Sequence, residues 1–170
     1  MDYSFFDTNK VVPVVVLDRV EDTIPKLSAL KKGGINVAEI TFRTACAPDC
    51  LALAVKTFPD MLVGVGTIIN GEQCKRALDL GAKFVVSPGF SKEVAEECIS
   101  RDVPYIPGVI TPTEVMMAKA VGLNVLKFFP ASDFGGIKTM KALSAAFPDV
   151  RVVPTGGVSE QNLHEFLGKG

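Results

Sequence analysis

Val125-Leu126-Lys127-Phe128-Phe129-Pro130 is an apolar run of strand length interrupted by a single charge. Its hydrophobicity is nearly continuous, where a strand with one wet face would alternate. It therefore reads as a strand buried on both faces, the mark of a parallel sheet covered by helices. Runs of the same kind stand at residues 11–17, 37–42, 62–68, 84–87, 105–110 and 151–154. Between them lie helical patterns with one apolar face, such as Leu51, Val55 and Phe58 or Ile137, Met140, Leu143 and Phe147.

The punctuation agrees with this alternation. Thr111-Pro112-Thr113-Glu114 spells a capping box with proline at the first helical position. Asn70-Gly71-Glu72-Gln73 is a looser version, and Ser91 and Ser159 are suited to N-caps. Glycines 33, 34, 81 and 122 stand where helices should end. Seven successive βα units predict a parallel α/β fold, either doubly wound or a (β/α)8 TIM barrel. No Gly-x-Gly-x-x-Gly turn follows the first strand, and polar residues recur at the C-terminal ends of several strands, where barrel enzymes place their sites. Both features favour the barrel. The sequence runs out at Gly168-Lys169-Gly170 without an eighth strand, so the expectation is a barrel with its eighth βα unit missing.

With 170 residues, 48% hydrophobic and 22% charged, the chain is expected to form one soluble domain spanning 1–170. A net charge of −1 without long runs of one sign favours neither nucleic acid nor an acidic membrane as partner. The N-terminus lacks the basic start and long apolar stretch of a signal peptide, and the run at 11–17 contains Pro13 and is too short to span a bilayer. A cytoplasmic location is expected. Cys46, Cys50, Cys74 and Cys98 lack the paired spacing of a zinc site, and the one histidine, His164, falls on a predicted surface helix. They read as small packing residues, with Cys46 the candidate for reactivity because it follows a strand end near Arg43.

Lys127 is the chemically informative member of its run. Burial disfavours the ammonium, and a neutral amine is a nucleophile that attacks ketones to form a Schiff base. The competing reading is a strand-end lysine whose stem packs while its head reaches water. Glu39-Ile40-Thr41-Phe42-Arg43-Thr44 is the second such strand. At period two, Glu39, Thr41 and Arg43 share one face, with Arg43 about 13 Å further along. A deep carboxylate suits acid/base work and a guanidinium at the mouth suits a substrate carboxylate, although a structural Glu–Arg or Glu–Lys pair would use the same residues. Gly64-Val65-Gly66-Thr67 offers small residues for the approach of a ligand and one hydroxyl, while Ser87-Pro88-Gly89-Phe90 and Pro107-Gly108 read as turns. Pro154-Thr155-Gly156-Gly157-Val158-Ser159 fits either an anion site before a helix start or a plain Gly-Gly turn.

Taken in order and spacing, Glu39-Ile40-Thr41-Phe42-Arg43-Thr44, Gly64-Val65-Gly66-Thr67, Ser87-Pro88-Gly89, Ile106-Pro107-Gly108, Lys127-Phe128-Phe129-Pro130-Ala131 and Pro154-Thr155-Gly156-Gly157 resemble one family. It is the 2-keto-3-deoxy-6-phosphogluconate (KDPG) / 4-hydroxy-2-oxoglutarate (KHG) aldolases, which are class I pyruvate aldolases. The resemblance implies a homotrimeric barrel that needs no metal or other cofactor. It implies Lys127 as the Schiff-base lysine, Glu39 as general acid/base, Arg43 and Thr67 on the pyruvate carboxylate, and Pro88 shaping the pocket. Thr155, Gly156 and Gly157 would hold the far end of the keto-acid substrate. The family's eighth strand, with a Gly-Gly-Ser motif that completes the phosphate site, is absent.

The expected reaction is reversible retro-aldol cleavage of a 2-keto-4-hydroxy acid to pyruvate plus glyceraldehyde 3-phosphate or glyoxylate. Two other functions fit parts of the sequence. A phosphosugar isomerase or synthase on the same barrel would use Glu39 and the Thr-Gly-Gly turn but not Lys127. A catalytically silent barrel fragment would serve only in assembly.

Overall fold

The computed structural model describes residues 1–167. Gly168, Lys169 and Gly170, where the sequence reading places the stop before an eighth unit, lie outside the described residues. Strands and helices alternate as the apolar runs predict, and the chain divides into two compact units.

The first unit comprises Met1–Val86 and Lys92–Tyr105. Its sheet has the order β1 (Val14–Val15), β2 (Val37–Thr41), β3 (Leu62–Gly66), β4 (Val85–Val86) and β5 (Tyr105–Ile106), β5 lying at the boundary of the unit. β1, β2, β3 and β4 pair in parallel, with Glu39 opposite Val14 on one side and Gly64 on the other. Helices α1 (Phe5–Thr8), α2 (Thr23–Lys32), α3 (Ala47–Thr57), α4 (Gly71–Asp79) and α5 (Lys92–Ser100) belong to the same unit. α3 forms because Pro48 pre-sets its first turn and Cys50, Leu51, Ala54 and Phe58 make one buried stripe. Asn70 caps α4 by accepting from Gln73 N. Every residue of β2 is buried, as a strand covered on both faces requires.

The second unit comprises Ser87–Ser91, Ile106 and the residues after it. Its sheet has the order β6 (Gly108–Val109), β7 (Val125–Phe128) and β8 (Arg151–Pro154), all parallel, with Lys127 between Gly108 and Val153. Helices α6 (Pro112–Ala120), α7 (Gly136–Ala146) and α8 (Leu163–Phe166) complete it. The capping box on α6 is formed in full: Thr111 Oγ1 accepts from Glu114 N, and a Glu114 oxygen accepts from Thr111 N at 2.8 Å. Leu123, Leu126, Phe128 and Met140 are buried there.

Four expectations are corrected. The run at 105–110 is two strands, because Pro107 has no N–H to continue a ladder and its carbonyl instead accepts from Lys127 N at 2.8 Å. The run at 11–17 is not buried on both faces: Val15 and Leu17 are buried, while Val14 and Val16 are exposed. β2 stops at Thr41, and Phe42 N makes the last ladder bond to Gly66 O. Arg43 therefore lies in the following turn and not on the strand face of Glu39. Ser159 does not cap a helix; its N–H donates to Asn162 Oδ1 at 2.7 Å, and α8 begins only at Leu163.

All four cysteines are free, and three are buried. Cys74 and Cys98 pack sulfur to sulfur at 3.5 Å between α4 and α5, while the half-buried Cys46 thiol meets the Leu17 carbonyl at 3.3 Å. No helix among the described residues is long and apolar enough to cross a membrane.

Candidate active site

β2 holds Glu39 in the middle of a buried strand, with 5% of the residue exposed. Strand side chains lean along the strand, and this one leans toward the C-terminal end. Its register partner on β3 is Gly64, yet its carboxyl group lies against Gly66, two residues further on. A Cβ at Gly66 would overlap Glu39 Oε1 outright and stand 2.5 Å from Cδ and 2.7 Å from Cγ. The group is thus carried about 6–7 Å up the neighbouring strand.

The next residue on β3 turns the chain. Thr67 has φ +60°, the left-handed region that a β-branched residue rarely adopts. In that conformation its hydroxyl accepts from Arg43 Nε at 3.0 Å. Arg43 is exposed at the end of the turn after β2, and Thr44 anchors that turn through its hydroxyl to the Leu17 carbonyl at 2.7 Å. The first unit therefore carries three of the expected site residues on two adjacent strands, with the Glu39 carboxyl group against Gly66 and the Arg43–Thr67 pair just beyond the C-terminal ends.

The second unit gathers the others. Lys127 is 4% exposed, and its Nζ lies 4.7 Å from the centroid of the Phe129 ring. Phe129 follows the last residue of β7, and its ring borders the amine at that end of the strand. Gly108, opposite Lys127 on β6, is backed by the Pro88-Gly89 peptide: a Cβ there would overlap the Pro88 carbonyl and stand 2.9 Å from Gly89 N. Pro88 is thereby tied to the strand next to the lysine. Thr155 follows β8, accepting from Ala131 N at 2.7 Å through its carbonyl. Gly156 and Gly157 follow with φ +91° and +74°, a double left-handed turn that only glycine adopts without strain. Gly156 packs on Pro130, and Gly157 leaves no room for a Cβ beside Ser132.

The sequence reading missed three residues. Gly66 and Gly108 are close-approach glycines whose neighbours are a side chain and a peptide of the protein, where the expectations were a ligand approach and a turn. Their signal was present as glycine inside a strand pattern. Phe129 was legible only as part of an apolar run.

The second unit supplies a buried amine on a strand, and the first supplies a buried carboxyl group and a guanidinium–hydroxyl pair at a strand end. These are the elements of imine chemistry on a keto acid. A family model described as "Aldolase: KDPG and KHG aldolase" matches residues 3–170. A 2-dehydro-3-deoxy-phosphogluconate aldolase of Treponema pallidum (strain Nichols) is 45% identical over 158 residues, covering 93% of this chain and 75% of that protein. A KHG/KDPG aldolase of Escherichia coli (strain K12) is 38% identical over 164 residues, covering 96% and 77% respectively. Among solved structures, a KDPG aldolase from Legionella pneumophila, with pyruvate captured at low pH as a covalent carbinolamine intermediate, superposes with a TM-score of 0.92. It is 42% identical, and the match covers 96% of this chain and 79% of that one. By sequence and by fold, the chain belongs to the KDPG and KHG aldolase family.

Proposed function

We propose that this chain is a class I aldolase that cleaves a 2-keto-4-hydroxy acid reversibly, through a Schiff base on Lys127. The observation that carries the reading is the burial of that amine: among the described residues Lys127 is the one buried lysine. The carbinolamine in the Legionella relative is an amine–ketone adduct, and supports the same chemistry here. The substrate class follows from the relatives' names, KDPG or 4-hydroxy-2-oxoglutarate.

In the forward direction Lys127 Nζ adds to the C2 ketone, and loss of water leaves an iminium. Glu39 takes the proton of the C4 hydroxyl. The C3–C4 bond then breaks, its electron pair passes to the iminium as an enamine, and the aldehyde leaves. The aldehyde is glyceraldehyde 3-phosphate or glyoxylate. Glu39 returns a proton to C3, and hydrolysis frees pyruvate and the amine. The iminium is the electron sink, so this route calls on no metal. Arg43 and Thr67 hold the pyruvate carboxylate through charge-assisted and neutral hydrogen bonds. Pro88 shapes the pocket, and Thr155 with the Gly156-Gly157 turn holds the far end of the substrate. The fold that this reading asks for is a single (β/α)8 barrel whose eighth βα unit is not among these residues, assembled as a cytoplasmic homotrimer.

Reduction with borohydride in the presence of pyruvate tests the assignment. One reduced pyruvate per chain should appear on the peptide containing Lys127. Label on another lysine, or none in folded protein, would refute it. Trapping also separates this reading from an isomerase, which has no use for the amine.

A further inference from the structure

We infer that Gly66 is a positioning residue for the acid/base carboxyl group, an inference that rests on the reading of Glu39 given above. Gly66 is absent from the glycines with positive φ, so its backbone does not require glycine. What requires glycine is space. The position a Cβ would occupy is filled by three consecutive atoms of the Glu39 side chain, Cγ, Cδ and Oε1. The bare backbone of β3 is therefore one wall of the Glu39 carboxyl site.

The consequence differs from that of an ordinary core glycine. Gly64, two residues earlier on the same strand, faces the Phe84 ring, and a Cβ there would stand 2.5 Å from three ring atoms. Phe84 is fully buried and has nowhere to turn, so a methyl at Gly64 costs stability. A methyl at Gly66 meets a flexible side chain from Cγ to Oε1, the carboxyl oxygen most severely, and rotation about the side chain's own bonds carries all three atoms away. The fold is kept while the carboxyl group leaves its place. A displacement of about 1 Å in a reacting group costs on the order of 10²-fold in rate. Gly66 also lies between Glu39 and Thr67, so its bare backbone fixes the spacing between the carboxyl group and the pair formed by Thr67 and Arg43.

The test is a double-mutant cycle on steady-state cleavage, read as separate kcat and KM values together with Tm. Gly66→Ala should lower kcat by roughly 10²-fold, with KM changed by less than about 3-fold and Tm held within a few degrees. In a Glu39→Gln background the same substitution should lower kcat no further. An equal fold-loss in both backgrounds, or full kcat in Gly66→Ala beside an impaired Glu39→Gln, would overturn the positioning role alone. Full kcat in Glu39→Gln, where Gly66 is intact, would overturn the acid/base reading on which the inference rests. If Gly66→Ala lowers Tm, Glu39→Ala/Gly66→Ala should recover the loss, because the methyl then meets no carboxyl group. An unrecovered loss would place the clash elsewhere and overturn the inference.

Discussion

Arg43 Nε donates to the Thr67 hydroxyl at 3.0 Å, and Thr67 makes that bond from a left-handed backbone at φ +60°. A β-branched residue there stores about 1–3 kcal/mol of strain. The strained conformation turns the hydroxyl to the guanidinium, so the role proposed for Thr67 sets function against stability at one residue. Thr67→Gly should relieve the strain. After allowing about 0.5–1 kcal/mol for the added freedom of the unfolded chain, the variant should be as stable as the parent or up to about 2 kcal/mol more so. Thr67→Val removes only the hydroxyl and should bring no gain. Both should raise KM for the keto acid. Urea unfolding of the two variants beside their kinetics checks this; a less stable Thr67→Gly would mean that the conformation carries no strain.

Arg43 should not be replaceable by lysine. Its Nε is engaged by Thr67, which leaves the two terminal nitrogens of a planar fork to meet a carboxylate. Lysine offers one point charge and cannot make both contacts. Arg43→Lys and Arg43→Ala should each raise KM for the keto acid, by about 10-fold or more for alanine, with a smaller change in kcat. An unchanged KM in Arg43→Ala would move the carboxylate site elsewhere.

What the sequence disclosed and what it hid divide along one physical line. Local chemistry was legible. The box at Thr111–Glu114 closes within one helical turn, and Lys127 stands out because a charge in a buried run is costly wherever the run sits. Cross-strand relations were not. The period-two argument that put Arg43 on the face of Glu39 holds only while the ladder lasts, and the ladder ends at Thr41. Gly64 and Gly66 announced a close approach, but which atoms approach depends on the register of β2 against β3, a tertiary property. Ser159 caps nothing because Asn162 ties it into the turn before α8, accepting from Ser159 N and donating to the Gly157 carbonyl at 2.8 Å, while α8 starts behind Asn162 with no side-chain cap. The four residues of α1 are too few to be stable by themselves. They are held by the Phe5–Phe84 stack at 5.2 Å and by the nearby Tyr3 hydroxyl, which donates to the Tyr105 carbonyl at 3.0 Å.

Gly108 should behave as the opposite of Gly66. The atoms a Cβ would strike belong to the Pro88-Gly89 peptide, and a peptide cannot rotate out of the way. Gly108→Ala should therefore cost roughly 2–3 kcal/mol, in the range of overpacked cores. Gly108 is paired with Lys127, so the shift of β6 should also disturb the amine, and kcat should fall with stability. A variant with wild-type Tm and turnover would show that the segment carrying Pro88 yields freely.

The capping box on α6 predicts how stability depends on acidity. Burial opposes ionisation of Glu114. Hydrogen bonds accepted from Thr111 N, Ile110 N and the Thr111 hydroxyl outweigh it, and the carboxyl pKa falls below the ordinary value of 4.5. A carboxyl group whose folded pKa is depressed binds fewer protons in the native than in the unfolded state. Its contribution is complete above 4.5 and is lost as pH drops through the lower folded value. Glu114→Gln, which does not titrate, should be less stable than the parent at neutral pH, and the difference should close as pH falls below 4.5. Thr111→Ala loses the other half of the box and should cost about 1 kcal/mol at neutral pH. Urea midpoints measured between pH 3 and 7 check both. A gap between parent and Glu114→Gln that stays constant over that range would mean that the carboxylate charge adds nothing to the cap.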